Sequence, residues 1–97
     1  MKVVFSRYAK QELDDAVRFY ELRHQGLGKQ LRREVKDAAK RIAASPQAWS
    51  RESLNARKCT LHRFPYKLLY SIEGEVILIV AVAHLHRRPG HWVDRTT

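Results

Sequence analysis

The run Val76-Ile-Leu-Ile-Val-Ala-Val-Ala83 constrains this chain more than any other segment. Its residues are all apolar and many are β-branched, so as a strand it has no polar face to give to water. Such a strand needs hydrogen-bonded neighbours and apolar cover on both faces, and the rest of the 97 residues must supply them. The run falls far short of the roughly twenty residues of a transmembrane helix, and the opening MKVVFSRYAKQELDD lacks the apolar stretch of a signal peptide. A soluble, cytoplasmic chain with no membrane partner, folding as one domain over residues 1–97, is the expectation.

The segments around that strand show what covers it. Lys2 to Ser6 has the β-branched and aromatic content of a short first strand, after which Ser6 is placed to cap a helix. Ala9, Leu13, Ala16, Val17 and Tyr20 then recur at three- and four-residue steps, with Lys10, Asp14, Arg18 and Glu21 on the other face. Gly26-Leu27-Gly28 gives the backbone freedom to end that helix and reverse direction. A second helix follows, with Leu31, Val35, Ala38 and Ile42 on one line and Arg32, Arg33, Lys36, Lys40 and Arg41 mostly off it, until Pro46 stops it. From Arg57 the period becomes two: Cys59 and Leu61 alternate with Lys58, Thr60 and His62, and Pro65 breaks the strand. Tyr66, Leu68, Tyr70 and Ile72 alternate with Lys67 and Ser71, and Glu73-Gly74 turns the chain into the apolar run. The order β-α-α-β-β-β predicts an α+β domain, a small twisted and mainly antiparallel sheet with a helical hairpin packed on one face.

Nineteen Lys and Arg against ten Asp and Glu give a formal net charge of +9, a field that attracts nucleic acid, nucleoprotein or an acidic protein. A single cysteine, Cys59, excludes an internal disulfide, and its place in a strand makes it a small buried hydrophobe rather than a nucleophile. Charge and chemistry concentrate in the last fifteen residues, AHLHRRPGHWVDRTT.

Three motifs in order, Gly26-Leu27-Gly28 between basic helices, Arg63-Phe64-Pro65-Tyr66 leading into Leu69-Tyr70, and His84-x-His86-Arg87-x-Pro89-x-x-Trp92-x-x-Arg95, resemble the RelE/ParE superfamily of type II toxin-antitoxin toxins. The resemblance spans nearly the whole chain and lies closest to the ParE-like, plasmid stabilisation branch. It implies a growth-inhibiting toxin neutralised by a cognate antitoxin whose C-terminal segment wraps it, in a possible higher-order complex. ParE-like members are associated with poisoning DNA gyrase, whereas RelE-like members cleave messenger RNA on the ribosome.

Attack by a ribose 2′-hydroxyl requires a base, an acid for the leaving oxygen and cations for the phosphate. The catalytic candidates for such a nuclease are Lys67, where the resemblance places an arginine in RelE-like enzymes, the imidazoles of His84 and His86 as acid and base, and Arg87. Against it, Trp92 stands where RelE-like nucleases carry a tyrosine, and an indole cannot exchange a proton with substrate. The reading that follows is a non-enzymatic inhibitor without cofactor, binding its target through Arg63, Arg87, Arg88, His91 and Arg95, with Tyr66 and Trp92 as structural anchors. A helical hairpin on one sheet face would gather several of Arg63, Lys67, Arg87, Arg88 and Arg95 on or beside the open face. His84 and His86 with His91 or Asp94 have the makings of a zinc set, but neighbouring Arg87 and Arg88 oppose a dication, and no metal is expected. A third reading is a degenerate, non-toxic protein that keeps only an antitoxin-binding surface made of exposed apolar residues of the hairpin and the sheet edge.

Overall fold

The computed structural model describes residues 1–86 and 90–95. Its elements are β1 (Lys2–Phe5), α1 (Arg7–Arg23), α2 (Leu27–Ala44), β2 (Arg57–Thr60), β3 (Tyr66–Glu73), β4 (Val76–His84) and a short 3-10 turn, Val93–Arg95. The four strands form one sheet in the order β1-β4-β3-β2, so the apolar run is an inner strand. β1 runs parallel to β4, while β3 pairs antiparallel with both β4 and β2. The expected α+β architecture and its element order are therefore present, with the one parallel pairing made possible by the helical hairpin that separates β1 from the rest.

The hairpin covers one face of the sheet. Ala9, Leu13 and Ala16 of α1 and Leu31, Val35, Ala38 and Ile42 of α2 share a core with Leu68, Tyr70, Ile77, Ile79, Val82 and Cys59. Burial raises the Cys59 thiol above its ordinary range, in keeping with a packing role. Ser6 Oγ caps α1 by accepting from the backbone N–H of Ala9 at 3.1 Å. The turn into α2 depends on its glycines. Gly26 sits at φ 88°, in the left-handed region that favours glycine, and Gly28 lies where an added Cβ would be 2.5 Å from the Val17 carbonyl oxygen. Glu21 ties the corner together by accepting from Gly26 N at 2.8 Å and Gly28 N at 3.0 Å. These backbone donors, Gly26 first, hold its carboxyl below the usual range.

One irregularity decides which side chains reach the second face. The β3–β4 register passes from Leu69 opposite Ala81 to Tyr70 opposite Ile79, so Val80 is an extra residue and β4 bulges. Before the bulge Ile77 and Ile79 face the helices; after it Val82 does. Val80, Ala81 and Ala83 face the other way and, with Leu69 and Ala56, make a second, smaller core that the tail residue Trp92 covers at 4% exposure. The run with no polar face is thus buried by the hairpin on one side and by the tail on the other.

Candidate functional site

The end of the sheet beyond β1 carries most of the residues singled out from sequence. Tyr66 of β3 and His84 of β4 are opposite each other and on the helix-facing side, with ring centroids 5.1 Å apart in an edge-on arrangement. Tyr20 of α1 meets Tyr66 at 6.2 Å and Phe64 at 5.1 Å, and Phe19 meets Tyr20 at 5.1 Å. Burial, followed by Tyr20, raises the Tyr66 phenol above its ordinary value. His86, just past the strand, lies 5.3 Å from the His84 ring, and its backbone N–H donates to His84 Nδ1 at 3.1 Å. A neutral His84 ring therefore carries its proton on Nε2. A shallow cleft of about 240 Å³ opens beside it, lined by Glu12, Asp15, Ala16, Phe19, Tyr66, Val82 and His84.

Lys67 is absent from that cleft. Its β4 partner is Ala83, whereas the partner of Tyr66 is His84, and successive residues of a strand point to opposite faces. Lys67 is on the face away from the hairpin, where its Nζ donates to Glu52 Oε1 at 3.0 Å, a carboxylate also 3.7 Å from Lys58 Nζ. The candidate nuclease set is thus divided by the sheet, with His84 and His86 at one end and Lys67 neutralised on the other side. Arg87 and Arg88 lie outside the described residues.

The remaining target-binding candidates divide as well. Arg63 is exposed in the β2–β3 loop, which is held to α2 because its backbone N–H donates to the Glu34 carboxylate at 3.1 and 3.2 Å. Arg95 and His91, expected to face a target, instead turn inward to Glu12 of α1. Arg95 NH1 donates to Glu12 Oε1 at 2.9 Å and to the Val80 carbonyl at 3.2 Å, and His91 Nε2 lies 3.3 Å from Glu12 Oε2. The physical reason lies at the edge of β4. β1 ends at Phe5, opposite Ile79, so beyond that point β4 has unpaired backbone groups. Glu12 Oε1 accepts from Val82 N at 3.0 Å, Arg95 donates to Val80 O, and the tail closes over the edge. The Arg95 guanidinium also lies 4.8 Å from the Tyr8 ring centroid. The second anchor candidate, Trp92, is the buried tail residue already described.

Glu12 is the residue that sequence reasoning passed over. It falls three residues after Ala9 and four before Ala16, inside the apolar arc of α1, and an acidic residue there was the available signal. Among the described residues, no three His, Cys, Asp or Glu side chains converge as a metal set.

The fold is thus a helical hairpin over a four-stranded sheet of order β1-β4-β3-β2, with Trp92 of the tail covering the far face. Residues 3–89 match the family model described as the ParE toxin of the type II toxin-antitoxin system, parDE. This chain belongs to that family. A solved structure described as the chromosomal ParDE TA system from P. aeruginosa is similar in fold, with a TM-score of 0.66 at 21% identity over 87% of this chain and 95% of that one. No curated protein matches.

Proposed function

We propose that this ParE-family chain inhibits growth by binding DNA gyrase or a related topoisomerase, without catalysis of its own, and that a cognate antitoxin neutralises it. The observation that carries the non-catalytic reading is the separation of Lys67 from His84 and His86 by the sheet, with Lys67 held by Glu52. General acid-base cleavage needs its groups around one phosphate, and here the cation and the imidazoles approach from opposite sides. The target contact is assigned to exposed Arg63, with Arg87 and Arg88 of the tail as its further cations. His91 and Arg95 join them only when they leave Glu12.

The antitoxin is assigned to two separate features. Phe19 and Leu22 of α1 stand exposed at 45% and 80%, three residues apart on one helix face. Between β1 and the hairpin runs a groove of about 650 Å³ with Val3, Phe5, Leu13 and Val35 inside and Lys10, Lys36 and the Arg32–Asp14 ion pair on its rim. Because β1 is an edge strand, an extended or helical acidic segment can find backbone pairing, apolar anchors and cations together. Induction without antitoxin should halt growth, trigger the DNA-damage response and leave messenger RNA intact. Rapid message cleavage on induction would replace this reading with the nuclease, and harmless expression of folded protein would replace it with the degenerate, antitoxin-binding form.

A further inference from the structure

We infer that the outer face of α2 is a docking surface for the phosphate backbone of duplex DNA. Lys29, Arg33, Lys36 and Lys40 succeed one another at steps of four, three and four, which sets all four on one line of the helix. All are exposed, and among the described residues none makes an ion pair within 4.0 Å, whereas neighbouring Arg32 is paired with Asp14 at 3.1 Å; Lys29 does feel the charge of the Glu21 carboxylate. At 1.5 Å rise per residue the line is about 16 Å long, a length over which one strand of a duplex presents roughly five phosphates. Helical backbone keeps the four cations in register, as tracking a stiff charged rod requires.

The face also lacks what other partners need. The exposed large apolar residues of the described chain are Met1, Tyr8, Phe19, Leu22, Leu54, Leu85 and Val93, and none belongs to α2. A protein interface is built around an apolar, charge-poor centre in which Lys is depleted, and a membrane-surface helix needs apolar residues to insert. Single-stranded nucleic acid is held by aromatic stacking, which this face does not offer. A second copy of a chain with net charge +9 would be repelled. A row of cations with no apolar core is matched by the row of phosphates along a duplex strand. Lys36 also borders the groove assigned above to the antitoxin. The inference stands on the charge line and not on the identity of the toxin's target, so DNA binding and growth arrest fail or succeed separately.

The experiment is a salt titration of binding to a fluorescent DNA duplex of about 20 base pairs and arbitrary sequence, by anisotropy. Four phosphate contacts predict an affinity loss of about 100-fold between 50 and 200 mM salt. Replacing Lys29, Arg33, Lys36 and Lys40 together by Gln should lower the slope of log K against log salt by three to four, and Arg33→Gln alone by about one. A control with Lys2, Lys10, Arg18 and Arg23→Gln, equal in charge, should lower it by about one or less. Circular dichroism melting establishes that each variant is folded. Equal loss in the two quadruple variants would overturn the assignment, as would tighter binding of single-stranded DNA or polyglutamate than of the duplex.

Discussion

Replacing Glu12 by Ala tests how the tail is fastened. The carboxylate is 14% exposed and serves three donors, Val82 N at 3.0 Å, Arg95 NH1 at 2.9 Å and His91 Nε2 at 3.3 Å. Hydrogen bonds to a charged group contribute about 1.5–3 kcal/mol each, and breaking a fully buried ion pair costs about 3–5 kcal/mol. Neither figure applies in full. The site is near the surface, Arg95 keeps its bond to Val80 O, and releasing the tail restores chain entropy that its docking had removed. A net loss of about 2–3 kcal/mol is expected, which for a domain of this size lowers Tm by roughly 10–20 °C. Asp14→Ala is the reference. Its ion pair with Arg32 has side chains 47% and 61% exposed, and its loss should cost less than about 1 kcal/mol. Equilibrium urea denaturation measures both, and Trp fluorescence reports release of Trp92. If Glu12→Ala is no more destabilising than Asp14→Ala, the account of the tail as latched through Glu12 is wrong.

Gly28→Ala should destabilise by about 1–3 kcal/mol in the same assay, because the new Cβ meets the Val17 backbone oxygen at 2.5 Å and one helix must move. Trp92→Ala should cost about 3–5 kcal/mol, since it uncovers the second core, and limited proteolysis should then cut the tail first. Burial pushes the Tyr70 phenol from 10.0 up to about 12, against the opposing pull of Arg57. The folded state thus retains a proton the unfolded chain has lost, so stability holds below about pH 10 and falls by up to about 2–3 kcal/mol towards pH 12. Tyr70→Phe should flatten that alkaline limb. Lys67→Gln should leave growth inhibition unchanged in an induction assay, and loss of toxicity with the fold intact would restore Lys67 to the mechanism.

Those predictions divide between what periodicity reveals and what it hides. The inner position of β4 follows from an apolar run with no polar face, and the hairpin follows from the 3-4 spacing of Leu31, Val35, Ala38 and Ile42; both are local signals. The bulge at Val80 carries no glycine or proline to mark it, and in an all-apolar strand an extra residue leaves no break in alternation. The Glu12 bonds to Val82, His91 and Arg95 join residues 70 to 83 positions apart, beyond the reach of any window. A row of basic residues in the tail looks the same in sequence whether it faces solvent or a buried carboxylate. Glu12 decides the matter for Arg95 and His91, and the sequence signal was on α1, not in the tail.

The division of Lys67 from His84 has a different origin, because it comes from register alone. Tyr66 opposes His84 and Lys67 opposes Ala83, so a one-residue slip of β3 would bring Lys67 beside the imidazoles. That slip is resisted on both faces. Leu68 and Tyr70 would leave the helix-facing core while Leu69 entered it, and Lys67 would lose Glu52. The Tyr70 hydroxyl, which donates to the Pro46 carbonyl after α2, would lose its acceptor as well. The buried side chains that stabilise the fold therefore also keep the lysine and the histidines apart, and a chain with this core can acquire a one-sided catalytic cluster only by substitution. Tyr66→Lys, which sets an amine directly opposite His84 on the helix-facing side, is the shortest route to one.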